Sequence, residues 1–163
     1  MKKLTIILTV ILLLAVSFSC AQEKSKADAK GKTAEIKVKW IEDYDLALRT
    51  AAKENKVVLI NFTGSDWCGW CKKLVSEVFS QPEFATYAEK NLVLLMLDFP
   101  TTFKQLPVET QQERQKLQEK YKVKGYPTIL LTDSLGAVIA QTGYQDGGAI
   151  KYVEHLKGLI AKK

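Results

Sequence analysis

Ile36, Val38 and Trp40 alternate with Lys37 and Lys39, the period of a half-exposed edge strand. At Ile41 the period lengthens, and Ile41, Tyr44, Leu48, Ala51 and Ala52 fall on one face of a helix that ends near Asn55. Val57-Val58-Leu59-Ile60 is a short run rich in β-branched residues, as expected of a strand covered on both faces. Thr63-Gly64-Ser65-Asp66 ends that strand, and Trp67-Cys68-Gly69-Trp70-Cys71 opens a helix reaching Phe79. Pro82 suits the first turn of another helix, running to about Lys90. Leu92 to Leu97 predicts a second buried strand, residues 99–108 a loop, and Glu109 to Tyr121 a polar helix. Thr128 to Leu131 predicts a third core strand, turned by Asp133-Ser134-Leu135-Gly136 into Ala137–Ala140 as a hairpin. Ala149, Tyr152, Val153, Leu156, Leu159 and Ile160 make one face of a closing helix. The order β-α-β-α-α-β-α-β-β-α predicts an α/β domain over residues 34–163, a central mixed sheet with helices on both faces.

The first residues belong to a different regime. Lys2 and Lys3 precede an apolar run from Leu4 to Phe18, and small residues follow at Ser19, Cys20 and Ala21. This is the layout of a secretory signal peptide over residues 1–21, and the run is short of the ~20 residues that a membrane span needs. Two processing routes stay open. A signal peptidase would cut before Gln22, or Cys20 would be lipidated and become the mature N-terminus. The expected location is the bacterial periplasm or an equivalent extracytoplasmic face, with membrane contact only through that lipid.

Export changes how the charge is read. The full chain of 163 residues carries a net charge of +6, but without residues 1–21 it has 22 basic and 18 acidic residues and a charge of +4. Much of that excess lies at Lys24, Lys26, Lys30 and Lys32, within an aperiodic Lys/Ala/Ser/Gly-rich stretch read as a flexible linker over residues 22–33. In an exported protein such an arm is a solvated tether, and nothing else in the sequence points to nucleic acid.

The chemistry lies in Cys68-Gly69-Trp70-Cys71, placed where a buried strand gives way to a helix. Free N–H groups and the positive end of the helix dipole stabilise a thiolate at such a position. Cys68, at the first exposed position, gains most and should attack; Cys71, a turn deeper, should resolve. Lys72 and Lys73 could add positive potential, or simply be solvated helix lysines. A bare C-x-x-C is also half of a zinc site, but the only histidine is His155 on the far helix, read as a surface or boundary residue. A structural disulfide is the other alternative, although so small a loop restricts the unfolded chain little. A non-catalytic binding module holding that bridge therefore stays open beside the redox enzyme, as does a metal chaperone.

Trp67-Cys68-Gly69-Trp70-Cys71-Lys72 after a strand, followed much later by Gly125-Tyr126-Pro127-Thr128, resembles the thioredoxin superfamily. Asn61 to Asp66 and Asp98-Phe99-Pro100 resemble its exported bacterial thiol–disulfide interchange proteins. The resemblance implies a thioredoxin-like fold and a thiol–disulfide oxidoreductase that reduces or isomerises protein disulfides. It implies no cofactor beyond the redox-active Cys68–Cys71 disulfide, and no metal. It further implies a cis Pro127 beside the redox pair, with substrate bound along Trp67, Gly69, Trp70, Tyr126 and Pro127. Gly125 would give the chain room to bend. The expected partners are protein thiols and disulfides and a redox partner, with the enzyme a monomer. Two departures stand out. Asn61 lies where thioredoxin has a buried Asp, leaving Asp66 as the nearby acid, and the dipeptide between the cysteines is Gly-Trp rather than Gly-Pro.

Overall fold

The computed structural model describes residues 38–162; the signal, the linker, Cys20 and the start of the predicted edge strand lie outside them. The elements are β1 (Trp40–Ile41), α1 (Tyr44–Glu54), β2 (Val57–Thr63), α2 (Gly69–Leu74) continuing as a π-helical turn (Val75–Phe79), α3 (Pro82–Asn91), β3 (Leu92–Asp98), α4 (Val108–Lys120), β4 (Thr128–Thr132), β5 (Val138–Thr142) and α5 (Gly148–Ile160). The predicted element order holds. Ile41 belongs to the strand rather than to the helix, because Asp43 caps α1 by accepting the Leu46 N–H at 2.7 Å. At the other end Asn55 adopts the left-handed conformation that stops α1 (φ 53°).

The strands run in the order β1-β3-β2-β4-β5. β1, β3 and β2 are parallel, whereas β4 is antiparallel to both β2 and β5. The period-2 alternation of β2 sorts its side chains between two cores. Val58, Ile60 and Phe62 pack with Tyr44, Ala47 and Ala51 of α1 and Leu117 of α4. Leu59 packs with Leu74, Phe84, Ala88 and, from α5, Tyr152 and Leu156. Helices thus cover both faces.

One hydroxyl chain ties the first layer together. Lys120 Nζ donates to Tyr44 Oη at 2.8 Å, Tyr44 and Tyr121 share a 2.7 Å bond, and Tyr121 donates to the Gly136 carbonyl at 3.0 Å.

The strand directions have a consequence for function. The C-terminal ends of β2, β3 and β5 and the N-terminal end of β4 all meet at one end of the sheet. Residues 64–71, 99–103, 125–127 and 143–147 leave the sheet there.

Candidate functional site

The segment between β2 and α2 is fastened to the chain that follows β3. Ser65 N–H and Oγ donate to the Asp98 carboxylate at 2.8 and 2.6 Å. Asp66 accepts from the Thr101 N–H at 3.0 Å and from the Thr101 hydroxyl, and these bonds, the hydroxyl's first, hold its carboxyl below its ordinary 3.8. Trp67 Nε1 donates to the Phe99 carbonyl at 2.8 Å. The strand end carrying Asp98 is braced in turn by the buried Arg114, which donates to the Asp98 carbonyl at 2.5 Å and pairs with Glu42 at 2.8 Å. Gly64 is required by close approach: a Cβ there would lie 2.4 Å from the Trp67 indole.

Cys68 and Cys71 are joined by a disulfide, with Cα atoms 5.2 Å apart. Cys68 is the N-cap of α2, and its Sγ accepts the Cys71 N–H at 3.1 Å. A thiolate at Cys68 would accept the same N–H and sit at the positive end of the helix dipole. Exposure does not separate the two sulfurs as the sequence suggested. Cys68 is 6% accessible and Cys71 2%. Their difference lies in cap geometry instead.

Asp66 is committed to Thr101 and faces solvent, so it does not serve the buried thiol. Asn61 is 2% accessible, and its Oδ1 has no hydrogen-bond partner among the described residues. Nor are the lysines simply solvated: Lys72 Nζ donates to the Asp66 carbonyl at 2.7 Å, and Lys73 Nζ lies 5.3 Å from the Trp70 ring centroid and 4.8 Å from that of Tyr144. His155 shares a 2.8 Å bond with Thr142.

The Tyr126–Pro127 peptide is cis. Phe62 is in register with Thr128, so Pro127 lies at the end of the sheet from which the Cys68 turn departs. Gly125 faces open space, and the bend does not depend on its lacking a side chain. Trp67 meets the Tyr126 ring edge-on at 5.7 Å, and Tyr126 stacks on Phe99 at 5.4 Å. Burial, and secondarily the nearby Asp98 charge, push the Tyr126 hydroxyl pKa up. Trp70 leans on Tyr144 at 5.4 Å. Both tryptophans remain about half exposed, and Gly69 opens α2 with free space around it. Sequence reasoning missed Gly64, Ser65 and Tyr144 as site residues. Only Asp98-Phe99-Pro100 had signalled that this end of β3 matters.

The thioredoxin-like domain family matches residues 44–156. The chain belongs to that family. It is 32% identical over 152 residues to the Chlamydia pneumoniae disulfide bond reductase DsbH, covering 91% of this chain and 90% of that one. The solved structure of a DsbH oxidoreductase superposes with a TM-score of 0.72 at 32% identity, covering 77% of this chain and 86% of that chain. The thioredoxin-related protein DsbJ of the same organism is 24% identical over 169 residues, which span 99% of this chain and 46% of DsbJ. As a member of this family with a Cys68–Cys71 disulfide, the chain is a thiol–disulfide oxidoreductase.

Proposed function

We propose that Cys68 and Cys71 are the catalytic residues and that the protein reduces or isomerises disulfides of exported proteins. The observation that carries this reading is Cys68 Sγ at the N-cap, accepting the Cys71 N–H. In the reducing direction the Cys68 thiolate attacks one sulfur of a substrate disulfide. The substrate S–S bond breaks, a Cys68–substrate mixed disulfide forms, and the first substrate sulfur leaves as a thiolate that takes up a proton. Cys71 then gives up its proton and attacks Cys68 Sγ. The second substrate sulfur leaves, and the enzyme ends as the Cys68–Cys71 disulfide. Two electrons have passed to the substrate, and a partner dithiol must return them.

The direction is supported by the reductase named among the relatives. Trp67, Gly69, Trp70, Tyr126 and Pro127 are read as the substrate surface, with no metal and no cofactor besides the disulfide. The enzyme acts as a monomer in the periplasm or an equivalent compartment, either free or anchored through a lipid on Cys20. Intact mass from the native host decides the last point: a chain beginning at unmodified Gln22 removes the lipid, and one retaining Met1 removes export.

Mixing reduced protein with a disulfide-bonded peptide tests the activity. Release of two peptide thiols for each Cys68–Cys71 disulfide formed is expected. A pair that stays oxidised down to potentials below about −300 mV and exchanges with no peptide would be an inert bridge.

A further inference from the structure

The two exposed indoles rest on different parts of the chain. Trp67 is held by the Phe99 carbonyl, just after β3, and by the Tyr126 ring, just before β4. Trp70 is held on the β5 side, by Tyr144 in the segment between β5 and α5.

Trp67 has a hydrogen bond to fix its ring, whereas Trp70 is 58% exposed and rests on ring contacts. What immobilises Trp70 is therefore whatever immobilises Tyr144. The Tyr144 hydroxyl lies within donating distance of two carboxylates, 2.5 Å from Glu77 Oε2 and 3.0 Å from Asp146 Oδ1. Lys73 Nζ lies 3.8 Å from Glu77 and 3.7 Å from Asp146, and it covers both aromatic rings. Lys73 and Glu77 belong to the helix that carries the cysteines and to its π-helical continuation, about half a turn and under two turns past Cys71. The network thus links that helix to the β5–α5 segment and ends on the indole of Trp70, the residue before Cys71.

We propose that Tyr144 is a positioning residue that holds Trp70 as a fixed aromatic wall, and so sets a preference for polypeptide disulfides with an aromatic or large aliphatic side chain beside the attacked cysteine. This rests on the reading of Cys68 as the attacking sulfur. Stacking on a ring already held in place adds affinity, while chemistry at the sulfurs is left alone, so the preference belongs to binding and not to the limiting rate.

Single-turnover oxidation of the reduced protein separates the two contributions. The substrates are a disulfide peptide with Phe beside each cysteine, the same peptide with Ala, and bis(2-hydroxyethyl) disulfide. The Phe peptide should half-saturate the wild type at a concentration about threefold to tenfold below the Ala peptide, the range one aromatic pair supplies. Tyr144→Ala should shrink that ratio below about twofold by raising the half-saturating concentration of the Phe peptide, with much smaller changes in limiting rate and in the small disulfide. Tyr144→Phe keeps the ring but frees it from both carboxylates, and its ratio should fall between the two. If Tyr144→Ala does not fold, Tyr144→Phe carries the test, and an unaltered ratio there overturns the proposal. So does a Phe preference that survives Tyr144→Ala, or an equal loss of limiting rate on all three substrates. A wild type that oxidises with all three but does not distinguish them overturns this proposal alone. One that reacts with none overturns the reading of Cys68.

Discussion

Reducing the disulfide should leave Cys68 with a thiol far more acidic than that of a free cysteine. The N–H of Cys71 already points at the Cys68 sulfur at 3.1 Å, and a hydrogen bond to a charged acceptor is worth about 1.5–3 kcal/mol. The N-terminal end of α2 adds about 0.3–1 kcal/mol for a negative charge. Opposing both, Cys68 as a residue is only 6% accessible, and partial desolvation of the thiolate takes back about 1 kcal/mol. The balance is about 2 kcal/mol in favour of the thiolate. The Cys68 thiol should therefore titrate below the ~8.5 of a free cysteine. Cys71 sits 2% accessible inside the first turn and has no equivalent cap. Its thiol should titrate above that of Cys68. The assay is the alkylation rate of each cysteine against pH in the reduced protein, read by mass on the two sulfurs separately. A Cys68 that titrates at or above ~8.5, or a Cys71 that alkylates faster across the whole range, would refute the cap argument.

Two other perturbations probe the frame around the sulfurs. Gly64→Ala places a methyl group 2.4 Å from the Trp67 indole, so the ring should move and lose its bond to the Phe99 carbonyl and its contact with Tyr126. The cost should be about 1–2 kcal/mol, read as a fall of a few degrees in Tm, and an unchanged Tm with unchanged near-ultraviolet circular dichroism contradicts it. Asp66 is held below its ordinary 3.8 chiefly by the Thr101 hydroxyl. Its contribution to stability is therefore complete above about pH 4 and lost as the pH falls through the depressed folded value. The Tm gap between wild type and Asp66→Asn should stay constant from pH 7 to 5 and narrow below 4; a gap unchanged at pH 2.5 would exclude the bond.

How much of this was legible beforehand depends on the range of each interaction. The strands and helices were, because Val57 to Ile60 form a run rich in β-branched residues and Tyr44, Leu48 and Ala51 recur at helical spacing, although Ala47 rather than Ala52 completes the buried face. Those are local signals. The redox pair was legible for the same reason: Cys68, its cap position and Cys71 fit within one turn. Tyr144 was not. It reaches Trp70 only because β5 joins the sheet beyond β4 with its C-terminal end beside that of β2, and strand order is a tertiary outcome that no local period encodes. The fastening of the turn before Cys68 escaped notice likewise, since its partners Asp98, Phe99 and Thr101 lie more than thirty residues away. The π-helical turn at Val75–Phe79 differs too little from an α-helix in spacing for Val75, Val78 and Phe79 to announce it.

The sulfurs' division of labour is tested most directly by trapping. Cys71→Ser keeps the capped thiolate but removes the resolving thiol, so with a disulfide-bonded peptide it should accumulate a stable mixed disulfide at Cys68, at one peptide chain per protein, by mass. Cys68→Ser leaves a sulfur without the cap, and it should trap almost none. Equal trapping by the two variants, or none by either, would contradict the assignment of Cys68 as nucleophile and Cys71 as resolving thiol.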